Sequence, residues 1–304
     1  MSALYTGITN SIIAALERGA ASYRMPWHCN SASHSPRNAI TAREYHGINT
    51  LLLWAAQGRQ GHSSPLWATY RQWRAIGAQV RQGERSTVVI LYRPLTADEQ
   101  KADCPDERQG KVLARAFRVF NADQVEGFTP ATVPALPETE RLAAAELFCN
   151  QQGATIWTGS DSAFYDPSSD VISMPTFGVF KSAAAYYSVL LHELGHWTGA
   201  KSRLDRDLSG RFGTDAYAME ELVAELTAAF VCAHLGLEGE PRRDHAPYIA
   251  SWLRVLRGDN RAVLFAASRA QVAADFLIER ATAAIEPLLP IRDDAAAPIA
   301  EMAA

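Results

Sequence analysis

The chain has 304 residues, 48% of them apolar and 20% charged, with a net charge of −4. That balance suits a soluble globular protein with room for two domains. It excludes a membrane-spanning chain, because no apolar run is long enough to cross a bilayer and the N-terminal stretch lacks the basic–apolar–small order of a secretion signal. The four cysteines, Cys29, Cys104, Cys149 and Cys232, are scattered without a C-x-x-C pair. They form neither a disulfide framework nor a thiolate metal site, and a cytoplasmic location is expected.

In chain order, Ile8, Ile12, Ala15 and Leu16 recur at helical spacing and predict a first helix over 5–18, ahead of Gly19. Met25-Pro26-Trp27-His28 reads as extended, since a residue before proline is pushed out of the helical region. Residues 36–47 read as loop and turn, and 48–57 as a helix closed by Gly58. A second short helix over 69–76 is stopped by Gly77. Val80, Gly83 and residues 86–92 suggest a hairpin, and 112–120 a further strand able to pair with 87–92. Residues 96–110 are polar and read as a solvent loop. Pro130, Pro134 and Pro137 interrupt all periodicity. The expected organisation is therefore a domain over 1–125, a linker over 126–137, a domain over 138–290 and a disordered tail over 291–304.

The second domain opens with a helix over 138–152 whose buried face is Leu142, Ala145, Leu147 and Phe148. Short strands follow at 155–157, 163–165 and 171–174, with 166–170 turning between the last two. The strand 171–174 is expected at a sheet edge, ended by Pro175, where it could align an extended peptide. Helices are predicted over 182–198, 216–235, 245–256 and 259–285.

The first of these four helices carries His192-Glu193-Leu194-Gly195-His196. Two imidazoles four residues apart share a helix face and can share one metal ion. Glu193, one step round, is placed as the general base of hydrolysis. Leu190, Leu191 and Leu194 pack the other side of the helix. A third ligand is required, and residue 202, where a third histidine would fall in H-E-x-x-H-x-x-G-x-x-H, is serine. The next helix offers Glu220, Glu221 and Glu225 instead. Glu221 and Glu225 lie four apart on one face, flanked by Leu222, Leu226 and Phe230. Glu220 sits about 100° round the helix, a competitor for the ligand role that better suits a solvated face. This pair resembles the gluzincin pattern E-x-x-x-(D/E), which implies Glu221 as the metal ligand and Glu225 as the carboxylate that orients a ligand histidine. One divalent metal ion is expected, Zn2+ first and Mn2+ as the alternative. Tyr217 and Tyr186 are candidates for assisting an oxyanion.

Charge is unevenly placed. Residues 1–95 hold ten arginines, no lysine and three glutamates, a balance of +7 that leaves −11 for the remainder. Trp27, Trp54, Trp67 and Trp73, with Tyr23, Tyr45, Tyr70 and Tyr92, are interleaved with those arginines. Stacking faces beside guanidinium groups suit single-stranded nucleic acid. About half of these aromatics are expected in the core. Trp67, Tyr70, Arg71 and Arg74 form the best surface candidate, and Arg37, Arg43, Tyr45, Arg81 and Arg85 could line the same groove. No zinc finger or helix-turn-helix signature supports sequence-specific reading of duplex DNA.

These two halves in this order resemble the ArdC-type antirestriction proteins, related in the first domain to the N-terminal part of plasmid TraC primases. In the first half the resemblance rests on Pro26-Trp27, Pro36-Arg37-Asn38, Tyr45-His46-Gly47-Ile48-Asn49, Pro65-Leu66-Trp67 and Gly77-Ala78-Gln79-Val80. In the second it rests on Tyr186-Tyr187, the run Leu191 to Gly199, Arg203-Leu204 and Glu220 to Glu225. It implies an α+β fold of two domains: a small basic α/β domain binding single-stranded DNA, then a mainly helical zincin-like metallopeptidase domain, of SprT or gluzincin type, with a short antiparallel sheet. It further implies a plasmid-borne protein that shields incoming DNA from host restriction. Single-stranded DNA is then the expected partner, and a DNA-associated protein cleaved by the peptidase half a second one. A DNA-binding module with an idle structural metal is the remaining alternative.

Overall fold

The elements the periodicity predicts are largely present in a computed structural model, which describes residues 2–20, 25–27, 35–94, 112–130, 138–208, 210, 213–237 and 246–285. The expected loop over 96–110, the tail over 291–304, residues 131–137, Tyr23 and His28 lie outside the described residues.

The first half comprises α1 (Ser2–Ala20), β1 (Arg37–Asn38), α2 (Ile48–Gln60), β2 (Leu66–Thr69), α3 (Tyr70–Ala75), β3 (Gln79–Val80), β4 (Thr87–Pro94), β5 (Val112–Asn121) and β6 (Val125–Glu126). One sheet runs β1-β2-β5-β4 and a second pairs β3 with β6. The long β4–β5 ladder, from Thr87 opposite Val119 to Pro94 opposite Val112, is the pairing the sequence predicts. The hairpin expected between Val80 and β4 is not formed, because β3 pairs with β6 instead. Helix α2 also differs from expectation. It passes through Gly58 and stops at Gly61, whose φ of 72° is left-handed and whose N–H bonds to Gln57 O at 2.8 Å. A mid-helix glycine costs only about 1 kcal/mol, and a left-handed glycine is a stronger stop. Thr69 ends β2 and caps α3 through a reciprocal pair of bonds with Gln72.

The second half contains α4 (Glu138–Gln151), β7 (Thr155–Thr158), β8 (Phe164–Asp166), β9 (Val171–Met174), α5 (Ala183–Trp197), α6 (Asp215–His234), α7 (Ala246–Gly258) and α8 (Ala262–Ile285). On α4 the buried stripe is Ala145, Phe148 and Cys149, while Leu147, expected inside, is 53% exposed. The three-stranded sheet has the order β7-β9-β8 and is mixed rather than antiparallel as expected, β7 lying parallel to β9 and β8 antiparallel to it. Strand β9 is therefore central, and the expectation of an edge there is corrected. The turn over 166–170, with Asp170 left-handed at φ 57°, folds β8 back along one side of β9. The chain entering through β7 takes the other side, so β8 is an edge.

One hydrophobic core runs through both halves. Leu16, Trp27, Leu51 and Trp54 belong to the same buried cluster as Leu191, Leu226, Trp252 and Ala270. Burying a large side chain contributes about 1.5–3 kcal/mol, so this shared cluster binds the halves together. Helix α8 supplies a buried row of alanines (266, 267, 270, 273 and 274), which lets other helices approach closely. At one contact Gly47, with φ 56°, donates its N–H to Gln271 Oε1 at 2.8 Å. Among the described residues no helix is long and apolar enough to cross a membrane.

Helices α5 and α6 approach each other closely at Gly195. A Cβ added at Gly195 would lie 3.0 Å from Ala224 Cα and 3.1 Å from Ala224 O. Those are backbone atoms, and they cannot rotate away. Gly195→Ala is accordingly expected to cost about 1–3 kcal/mol through overpacking, measured as a lower midpoint in urea unfolding of the metal-free protein. An unchanged midpoint would show that the two helices separate freely.

Candidate metal centre

Helix α5 starts at Ser182, whose hydroxyl accepts from Ala185 N at 3.0 Å. It turns Leu190, Leu191, Leu194 and Trp197 into the core. That rotation leaves His192, Glu193 and His196 on the face toward a cleft of about 260 Å³. Helix α6, capped by Thr214, crosses it at the Gly195–Ala224 contact and brings Glu221 opposite both rings. His192 Nε2 lies 3.5 Å from Glu221 Oε2, and His196 Nε2 lies 3.6 Å from Glu221 Oε1. The three side chains offer one donor atom each, all within 4.8 Å of one another. Two donors on a tetrahedral zinc at 2.0–2.1 Å stand roughly 3.3 Å apart, so the donor set fits a single divalent cation. Burial would raise the Glu221 carboxyl, but hydrogen bonding to His192 and the fields of both histidines outweigh it and hold it down at about 2. The group is therefore an anion at neutral pH, as a metal ligand must be.

A second carboxylate stands behind each histidine. His192 Nδ1 is 3.4 Å from Glu225 Oε2. His196 Nδ1 is 3.3 Å from Glu220 Oε1. Glu220 is thus not on a solvated face, and this part of the sequence reading is corrected. The cause is Arg206, which folds back from the loop between α5 and α6. It bonds Glu220 Oε1 at 2.8 Å and Oε2 at 3.1 Å, Thr198 Oγ1 at 2.8 Å and Gly195 O at 2.7 Å. Gly199 makes the room, since a Cβ there would stand 2.9 Å from Arg206 Nη2. Burial works against ionising Glu220, yet its bonds to His196 and Arg206 keep its pKa below the usual value.

Glu193 is 4% exposed and lines the same cleft. Of the two tyrosines considered, Tyr217 lines it. Tyr186 instead packs among Phe177, Phe180 and Tyr187, with ring centroids 5.0, 5.2 and 5.3 Å away. Burial, a contact with Tyr248 (3.4 Å between hydroxyls) and the negative Glu221 all push the Tyr217 phenol up. It therefore remains an O–H donor. Tyr248 on α7, Arg206, and Phe164 and Tyr165 of the β8 edge also belong to this region, and the sequence reading missed them. Only the run Arg203-Leu204-Asp205-Arg206, basic residues in an otherwise loop-like stretch, hinted at Arg206.

In the first half the structure separates the predicted nucleic-acid residues. Trp67 is 0% exposed, packed with Leu53, Ala56, Val89 and Val119. It stands on an inner strand beneath α2, so no base can stack on it, and its assignment to a DNA surface is corrected. Trp27, Trp54 and Trp73 are buried too, so among the described residues four of the eight aromatics lie in the core, in line with the half expected. Tyr70 (41% exposed), Arg71 and Arg74 do face solvent on α3. Arg43, Arg81 and Arg85 are exposed, Arg81 being paired with Glu84 at 2.7 Å. Arg37 and Tyr45 are half-buried, the latter accepting from Asn38 Nδ2 at 3.4 Å.

Comparison with known proteins agrees with this two-part organisation. Residues 2–123 match the model of the N-terminal domain of anti-restriction factor ArdC, and residues 143–269 match that of a zincin-like metallopeptidase. An uncharacterised protein of Sinorhizobium fredii, y4eC, is 50% identical over 90% of this chain and 91% of its own. The DNA primase TraC of Escherichia coli is 38% identical over 89% of this chain, which spans only 26% of that protein's length. Two crystal structures of the antirestriction protein ArdC from plasmid R388 are similar. The metal-free form has a TM-score of 0.75 and the Mn(II)-bound form 0.73, both at 37% identity. The metal-free comparison covers 92% of this chain and 98% of that one. On this agreement in sequence and fold over nearly its whole length, the chain belongs to the ArdC family of antirestriction proteins.

Proposed function

We propose that this protein protects incoming plasmid DNA from restriction by binding it as a single strand through the first half, while the second half acts as a metal-dependent peptidase. The observation that carries the reading is the convergence of His192, His196 and Glu221 beside Glu193 in an open cleft. It stands in a chain similar throughout to an ArdC protein that has a Mn(II)-bound form. A purely structural metal requires no general base, and Glu193 is in the position of one. Zinc is the ion we favour, with manganese the alternative; two imidazoles and a carboxylate accept both.

When bound, a divalent cation in such a site supplies Lewis acidity, which acidifies water and polarises a peptide carbonyl. The chain's own residues supply the rest. Glu193 accepts the proton of the attacking water and returns it to the departing amine. Tyr217 donates its O–H toward the developing oxyanion, a contact made only as charge builds there. Glu220 accepts from the Nδ1–H of His196, and Glu225 stands 3.4 Å behind His192 Nδ1, an arrangement in which each Nε2 lone pair is directed to the Glu221 side. The β8 edge, Phe164–Asp166, is placed to hold an extended peptide by backbone pairing.

On the nucleic-acid side, Tyr70, Arg71 and Arg74 on α3, with Arg43, Arg81 and Arg85, are the residues we assign to phosphate neutralisation and stacking. Arg37 and Tyr45, both half-buried, offer the exposed parts of their side chains to the same contact. Removing two phosphate contacts by Arg71→Ala with Arg74→Ala should reduce the slope of log affinity against log salt by roughly 0.7 per contact on single strands. Gel shifts across a salt series measure it. Equal affinity of the unsubstituted protein for single and double strands would count against this assignment.

Glu193→Ala separates DNA protection from proteolysis. Peptide cleavage should fall by about 10²–10⁴-fold, while transformation assays should show restriction protection retained, because occlusion needs no hydrolysis. Protection lost from a folded Glu193→Ala protein would mean instead that cleavage of a DNA-associated protein is the route.

A further inference from the structure

The metal-site reading leaves one contact from the first half unused. Trp27 is 6% exposed, and its Nε1–H donates to Glu225 Oε1 at 2.9 Å across 198 residues of sequence. The other oxygen of that carboxylate, Oε2, is the one 3.4 Å from His192 Nδ1. Glu225 is itself 3% exposed, so its oxygens need protein partners to remain charged. The indole is held at a fixed angle by Trp252, with ring centroids 6.2 Å apart and planes at 56°, and by the core shared between the halves. A rigid donor on one carboxylate oxygen fixes the direction of the other.

We propose that Trp27 is a positioning residue of the metal centre, its indole N–H locking Glu225 so that Glu225 holds His192 in the ligand orientation. The metal site is then completed by the first half of the chain. This rests on the reading of His192, His196 and Glu221 as metal ligands. Partners of ligand histidines at this remove change metal affinity by about 10–100-fold, and a neutral donor acting through one carboxylate belongs at the lower end.

The test uses the full-length protein and chelator competition with zinc alone and with manganese alone. Dissociation constants are compared for the unsubstituted chain, Trp27→Phe, Glu225→Gln and the double substitution. Trp27→Phe should weaken metal binding about tenfold, and the double variant should bind within twofold of Glu225→Gln, because the indole acts through that carboxylate. A role in packing alone would lower the melting temperature of the metal-free protein and leave metal affinity unchanged. Unchanged affinity in folded Trp27→Phe, or losses that simply add, would overturn the proposal while leaving the metal site intact. An unsubstituted protein that binds neither ion would remove the metal-site reading and this inference with it. Should Trp27→Phe fail to fold, benzothienylalanine at position 27 replaces the N–H by sulfur on a ring of the same shape, and the same affinities decide.

Discussion

The close crossing of two helices at Gly195 and Ala224 is the constraint on which this structure depends. His192 and His196 are placed on one face by helical geometry alone, but a pair of histidines does not make a catalytic site. The third donor arrives only because α6 approaches α5 so closely that a methyl group at Gly195 would press on Ala224 backbone. Once there, Glu221 spans both rings, and the neighbouring acids Glu220 and Glu225 fall behind them, one to each histidine. Three carboxylates within six residues of one buried helix would repel strongly without partners. Two imidazoles, Arg206 and the indole of Trp27 supply them, and the cluster holds together as a network of alternating charge and hydrogen-bond donors.

Much of this was legible in the sequence, for reasons that are local. The spacing of His192, Glu193 and His196 encodes one helix face. The i, i+4 relation of Glu221 and Glu225 encodes another, and both helices occur within a residue or two of where periodicity places them. Glu220 was misread because its burial is produced by Arg206, a residue fourteen positions away whose course back across α5 has no periodic signature. Strand β9 was misread as an edge for a similar reason: alternation shows that a segment is extended but says nothing of how many neighbours it has. The β3–β6 pairing joins segments about 45 residues apart, beyond the reach of any turn signal.

Trp67 makes the same point in the first half. Its setting among arginines suggested a stacking platform, yet β2 lies inside its sheet under α2, and the indole became core. Composition reports which residue types are present, whereas exposure is a property of the tertiary fold. Among the described residues, what stays on the surface is arginine-rich with Tyr70 exposed among it, a composition suited to phosphate more than to base stacking. The two halves share a core through α1, α2, α7 and α8, so the arginine-rich face and the candidate metal centre sit on one packed body.

The most direct test of the convergence is calorimetric titration of the metal-free protein with zinc, set beside Glu221→Ala. A single site per chain is expected, with affinity falling by at least 100-fold when Glu221 is removed and the fold retained by circular dichroism. Equal zinc affinity in folded Glu221→Ala would contradict the three-donor site and, with it, the peptidase half of the proposed function.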